Sequence, residues 1–219
     1  MIALPFPAFL ASPARGEVGN PPVRTMMAPS PDLPLVLAAR SGDMAAFGGL
    51  VAIYKSRVFS IAGKYARNHH ELEDLAQDIF IKTWKGLASF RGEAPFEHWL
   101  MRLAVRACYD FLRKNRTRRE KEVSRDALLE GGHPGLEGIG APEMTDETDA
   151  LLEVRRAMTL LAPKEQLVIT LLELEERSVR EVAELTGWSE TNVKVRAFRA
   201  RQSLKKYIQR LRQSPAPCD

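Results

Sequence analysis

Cysteine is scarce in this chain: of 219 residues only Cys108 and Cys218 carry a thiol. Cys108 falls within a helical pattern and Cys218 in a tail. Two such positions give no disulfide framework, and a reduced, cytoplasmic protein is expected. No run of 18 apolar residues occurs, so neither a transmembrane helix nor membrane insertion is expected. The opening stretch MIALPFPAFLASPA is apolar, but it lacks a positive n-region and is interrupted by prolines, so it does not read as a signal peptide. Nowhere does the sequence alternate apolar and polar residues as a half-buried strand requires, which excludes a receiver-type α/β domain. There is no GxxxxGK phosphate loop and no GxSxG nucleophile elbow. His70 and Glu71 begin a zincin-like pattern, but its second histidine position holds Asp74. The polar cluster of His69, His70, Glu71 and Asp74 is more simply the start of a helix. No catalytic residue, metal ligand or cofactor is assigned, and the chain is not expected to be an enzyme.

The chain does contain an ordinary apolar content of 45% and 27% charged residues, with a net charge of only +4. The distribution is more informative than the sum. RKNRTRREK, at 113–121, has six basic residues against one acidic, and 189–212 has eight against one. The stretch between them is rich in glycine, proline and acids. Two separate basic surfaces point to two contacts with a polyanion.

Periodicity divides the chain. Residues 1–34 hold eight of the fourteen prolines and read as a disordered leader. From Leu35 the apolar spacing predicts helices, one around Leu35–Ala39 and another from Phe47 towards Tyr65. Leu72 to Leu87 is strongly amphipathic: Leu72, Leu75, Ala76, Ile79, Phe80, Thr83, Trp84 and Leu87 form one stripe. The opposite face carries Asp74, Gln77, Asp78, Ile81 and Lys85. Ile81, apolar among acids and amides, reads equally as the centre of a protein-docking patch and as a stray surface residue. After the loop Ser89–Pro95, a long helix begins at Phe96, with Phe96, Trp99, Leu100, Leu103, Ala104, Ala107 and Phe111 facing a core. Its second stripe, Arg102, Arg106, Tyr109, Arg113 and Arg116, combines cations for phosphates with an aromatic on which an unpaired base can stack. The pattern fades near Thr117. Residues 120–149 read as a flexible acidic linker, 150–212 as a second helical domain, and 213–219 as a disordered tail. The fold class is therefore all-α, with two small helical domains.

The most informative stretch is SVREVAELTGWSETNVKVRAFRARQSL, residues 178–204. It reads as a short helix, a turn in which Gly187 takes positive φ, and a second helix capped by Ser189. Val193, Ala197, Ala200 and Leu204 make the buried stripe of that helix. Thr191, Asn192, Lys194, Val195, Arg196, Phe198 and Arg199 lie on or beside its other side. This is the pattern of a helix-turn-helix that reads duplex DNA through the major groove. The basic-aromatic face of the first domain better suits melted or distorted DNA.

The two halves together resemble bacterial sigma factors of the sigma-70 family, and more narrowly the small extracytoplasmic-function (ECF) group that keeps only regions two and four. The resemblance covers about 35–119 and 150–209 and rests on DLAQDIFIKTWKGLASFRGEAPFEHWLMRLAVRACYDFLRK, Leu160–Glu165 and the helix-turn-helix. It implies a non-catalytic subunit that binds core RNA polymerase and directs promoter recognition, −10 melting and initiation. It places Asp74, Gln77, Asp78, Ile81 and Lys85 on the clamp helices of the largest polymerase subunit, with the flap region as a second contact. Phe90 and Arg91 would lie at a flipped −10 base. Arg102, Arg106, Tyr109 and Arg113 would line the path of the single strand, and 35–119 would form region two. Thr191, Asn192, Lys194, Val195, Arg196, Phe198 and Arg199 would face the −35 duplex, with 150–212 as region four. The family often has a small hydroxyl residue at the place of Val195 and a histidine at the place of Phe198, so the bases read here are expected to differ. An anti-sigma factor is a common partner in the group. The rival expectations are a DNA-binding regulator with the same helix-turn-helix, identifiable by a ligand pocket or a symmetric dimer seam, and a protein adaptor with no promoter preference.

Overall fold

The computed structural model describes residues 31–130 and 149–213. Most of the expected leader, most of the expected linker and the end of the tail lie outside these residues. Every regular element among the described residues is helical. The first group comprises α1 (Leu33–Arg40), α2 (Met44–Gly63), α3 (His69–Leu87) and α4 (Phe96–Glu130). The second comprises α5 (Asp149–Leu160), α6 (Pro163–Ile169), a π turn (Thr170–Leu174), α7 (Val179–Thr186) and α8 (Glu190–Gln213).

Local chemistry sets the helix starts. The Asp43 carboxylate accepts from the amides of Ala45 and Ala46 at 2.8 and 3.1 Å. Asn68 accepts from the Glu71 amide at 2.9 Å and caps α3, so the polar cluster that follows it opens a helix. Pro163 opens α6, where its missing N–H costs nothing. The first helix begins slightly earlier than expected, at Leu33. Asp32 is buried and accepts from the Tyr54 hydroxyl at 2.5 Å, which ties the start of α1 to the middle of α2.

In the first group Leu50, Tyr54, Val58 and Ile61 of α2, Leu75 and Ile79 of α3, and Phe96, Leu100 and Ala104 of α4 form the core. α2 is long and apolar enough to cross a membrane by length and composition. Here its stripe is instead spent against α1, α3 and α4. In the second group α8 is the spine, and α5, α6 and α7 all pack on it.

Two features differ from the expectation. The long helix does not stop near Thr117 but continues to Glu130. The extension is rich in charged residues, and its sequence offers no apolar stripe to read. Second, α4 is buried on more than one side: besides the expected stripe, Met101, Val105, Cys108 and Leu112, spaced four, three and four, are also buried. The reason is tertiary. α4 packs on α6 and α7 of the second group, and one continuous apolar cluster joins Cys108 and Leu112 to Leu167, Val168, Leu171 and Val182.

Candidate nucleic-acid interface

The helix-turn-helix is built from strong local signals. Ser178 and Glu181 form a reciprocal capping box at the start of α7: the Glu181 amide donates to the Ser178 hydroxyl at 3.2 Å, and the Ser178 amide donates to the Glu181 carboxylate at 2.8 Å. These bonds to Ser178, with help from Arg177, hold the Glu181 carboxyl below the ordinary carboxylate range. Gly187 ends α7 at φ 74°, a left-handed conformation that glycine adopts without a Cβ penalty. The Asn192 amide donates to the Ser189 hydroxyl at 3.2 Å, which caps α8. Val193, Ala197 and Ala200 are buried and Leu204 half-buried.

This burial leaves Thr191, Lys194, Val195, Phe198 and Arg199 exposed on the outer side of α8, with Asn192 half-exposed. Phe198 is 61% exposed and Val195 44%. Large apolar groups this open, between cations, are available to a partner surface rather than to the core. Arg196 is placed differently from its neighbours. Its guanidinium lies 4.9 Å from the centre of the Trp188 ring, it is half-buried, and its Nε has no hydrogen-bond partner. It braces the turn with a cation–π contact. Arg201 bonds Glu173 of the π turn at 2.6 Å, and Arg212 bonds Glu153 of α5 at 2.8 Å. These two arginines fasten α8 to its own bundle.

The single-strand candidates fall into two sets. Arg102, Arg106 and Arg113 are exposed along one side of α4 and Tyr109 is half-buried beside them. Arg113 reaches Asp110 at 3.8 Å. Arg91 is exposed at the loop, 3.8 Å from Glu93. Phe90 is placed differently from Arg91. It is 4% exposed, with its ring 5.1 Å from Trp99 and 5.7 Å from Phe96. A phenylalanine closing a loop over two aromatic rings gains more by burial than by waiting for a base.

On α3, Asp74, Gln77, Ile81 and Lys85 are exposed on one face and Asp78 is half-exposed. Asp78 pairs with Lys82 at 2.8 Å, and Lys82 also approaches Asp110 of α4 at 3.6 Å. Ile81 is 43% exposed. His69 and His70 pair along the helix with Glu73 and Asp74. Among the described residues no group of three or more His, Cys, Asp or Glu is placed to hold a metal. The sequence reading missed Arg67, which bonds both carboxylate oxygens of Glu71. Burial pushes the Glu71 carboxyl up, but the bonds from Arg67 outweigh it and leave the group below its ordinary value. An Arg four residues before a Glu across a helix start is the sequence signal for that pair.

Two protein-family descriptions match the chain, Sigma-70 region 2 over residues 50–118 and Sigma-70, region 4 over residues 151–204. The RNA polymerase sigma-H factor of Pseudomonas aeruginosa is 30% identical over 191 residues, which cover 85% of this chain and 98% of that protein. The ECF RNA polymerase sigma-E factor of Escherichia coli K12 is 32% identical over 185 residues, covering 82% and 95%. The ECF RNA polymerase sigma factor SigW of Bacillus subtilis is 30% identical over 184 residues, covering 78% and 94%. Among solved structures, CnrH in complex with the cytosolic domain of CnrY is similar in fold, with a TM-score of 0.50, 23% identity and coverage of 81% of this chain and 97% of that one.

Proposed function

The chain belongs to the ECF group of the sigma-70 family of RNA polymerase sigma factors, and from that premise we propose how its surfaces divide the work. As a sigma factor it directs transcription initiation and does no bond chemistry itself; the polymerase carries out phosphoryl transfer. Asp74, Gln77, Ile81 and Lys85, with Asp78 beside them, dock on the clamp helices of the largest polymerase subunit, and the second bundle meets the flap. The outer side of α8 enters the major groove of the −35 duplex. Thr191, Asn192 and Arg199 are suited to base edges, Lys194 to phosphate, and Val195 and Phe198 to thymine methyl groups. Arg196 supports this face from behind, through Trp188.

Arg91, Arg102, Arg106, Tyr109 and Arg113 hold the melted −10 strand. Opening each base-pair step costs about 1–2 kcal/mol. Phosphate contacts along four exposed arginines and a stacking surface at Tyr109 offset that cost. Phe90 contributes by fixing the loop that carries Arg91. The protein works in the cytoplasm, where polymerase and promoter are. CnrH is in complex with the cytosolic domain of CnrY, and by analogy this chain has a protein partner of the anti-sigma kind.

One observation carries this reading over that of a free-standing regulator: two unlike exposed faces stand on one chain, the Ile81 face on α3 and the cation–apolar face on α8. A regulator needs the second but not the first. The test is run-off transcription with purified core polymerase on a promoter library, comparing the wild type with Ile81→Glu. New sequence-selective transcripts that fade with the variant support the assignment. Specific DNA binding without any protein-dependent transcript would favour the regulator instead.

A further inference from the structure

A cavity of about 410 Å³ lies between the turn after α2, the middle of α4 and the turn that joins α5 to α6. That volume is within the range of about 300–1,000 Å³ usual for sites that hold small molecules. The residues assigned to polymerase, to the melted strand and to the −35 duplex do not line it. Its lining has two characters. Leu112, Leu160, Leu161 and Pro163 supply an apolar wall, of which Leu112 and Leu161 are buried. Arg67, Arg116 and Arg119 supply three guanidinium groups. Arg116 and Arg119 are three apart on α4 and so share a face, and Arg67 arrives from the turn before α3. Among the described residues that line the cavity, none is acidic.

The cations are held in place. Arg67 is bonded to the Glu71 carboxylate, and Arg119 donates to the Thr159 carbonyl at 2.9 Å. A guanidinium carries five N–H donors, so one held along one edge presents another. Fixed forks of this kind match the oxygens of a phosphate. Positive charges gathered at one cavity also repel, more strongly where solvent is partly excluded. Arg116 is exposed, whereas Arg67 and Arg119 are half-buried. An anion entering on the side of Arg116 offsets that repulsion, and the apolar wall covers a water-averse face of the same molecule. Asn115 and Gln166 complete the lining. Each amide both donates and accepts, which suits ring edges and sugar hydroxyls. A bare inorganic anion would leave the wall wet, and a fatty acid would leave the amides and most of the positive charge without a counterpart.

We propose that this cavity binds a small phosphorylated molecule with a flat body, of the nucleoside diphosphate class. Its phosphates rest on Arg116 and Arg119, and its ring lies against Leu112, Leu160 and Pro163. The inference goes beyond the sigma-factor reading and does not depend on it, since the ligand touches neither the polymerase-docking face nor the DNA faces.

The experiment is isothermal titration of the full-length chain, without magnesium, with ADP and with adenosine and inorganic pyrophosphate as its two halves. ADP should bind more tightly than either half, and its affinity should fall as salt is added. It should also raise the melting midpoint, because only the folded chain has the cavity. R116A/R119A should weaken ADP binding by about tenfold or more, as loss of bonds to a charged group does, and R116K/R119K should recover part of it. Asn115→Trp, which fills the cavity without removing a cation, should abolish ADP binding while helical circular dichroism stays that of the wild type. Arg102→Ala, on the strand-facing side of α4, should leave ADP affinity unchanged. ADP that neither binds nor shifts the midpoint at millimolar concentration would overturn the proposal. So would pyrophosphate binding as tightly as ADP, which would make this a bare anion site, or adenosine doing so, which would remove the role of the phosphates. An R102A as damaging as R116A/R119A would move the contact to the strand-facing side and overturn it too. The titration uses neither polymerase nor promoter, so its failure leaves the sigma-factor reading standing, and failed run-off transcription leaves the ligand assignment standing.

Discussion

Gly48 and Gly187 provide a test in which available space is the same and backbone conformation differs. A Cβ built at either position meets nothing within 4 Å. An account based on packing alone therefore expects the same result from Gly48→Ala and Gly187→Ala. The backbone says otherwise. Gly48 is exposed within α2, where alanine is about 0.5–1 kcal/mol more favourable than glycine. Gly187 sits at φ 74°, where a Cβ costs about 1–2 kcal/mol. Replacing glycine also narrows the unfolded ensemble by about 0.4–1 kcal/mol, so the net loss at Gly187→Ala should be about 1 kcal/mol. The two variants should then move in opposite directions and lie about 1.5–2 kcal/mol apart. At roughly 2–4 °C per kcal/mol for a chain of this size, that is about 3–8 °C between their melting midpoints. Urea denaturation followed by circular dichroism, with the slope checked for constancy, measures both. Gly187→Asn should fall between Gly187→Ala and the wild type, because asparagine tolerates the left-handed region. A Gly187→Ala as stable as Gly48→Ala would refute the reasoning.

Other expectations concern charge, recognition and thiol chemistry. Arg67 holds Glu71 below its ordinary carboxyl value, so its stabilisation is present above the unfolded pKa and disappears as pH falls through the folded one. Glu71→Gln should therefore be less stable than the wild type at neutral pH, with a difference that shrinks below about pH 4.5; parallel melting curves at pH 7 and pH 3.5 would contradict this. Arg199→Ala should weaken −35 binding, by about 1–3 kcal/mol at one base position if Arg199 reads a base, and gel-shift titrations against single-base variants would reveal a uniform loss if it only contacts phosphate. Cys108 is buried, and burial pushes its thiol well above the ordinary range. It should resist iodoacetamide in the native protein and react once the chain is unfolded, as peptide mass analysis would show; rapid native labelling would mean that the α4 seam opens freely.

Much of the candidate site was legible because it is local. A glycine at a required left-handed turn and a serine cap at Ser189 each need only a few neighbouring residues to act. The same holds for Ile81, whose position opposite the stripe of α3 follows from helical spacing alone. The burial of Phe90 was not legible because a loop aromatic carries no periodicity: whether it faces solvent or Trp99 depends on where α4 returns. Arg196 is similar. Its spacing puts it beside the DNA face, and only the approach of Trp188 draws it inward.

The sequence by itself determined the helices, their caps and turns, the division into two bundles and the residues each α8 turn presents to solvent. Apolar period and short-range hydrogen bonds act within a few residues, and so can be read from order alone. Only the tertiary structure decided that Met101, Val105, Cys108 and Leu112 are a second buried stripe, and that Lys64 reaches a carbonyl 110 residues away. It also decided that a π turn with a left-handed exit lies where the bundles meet. Those features exist because two separately formed surfaces come together. No local rule encodes which exposed-looking face of one helix will be covered by another.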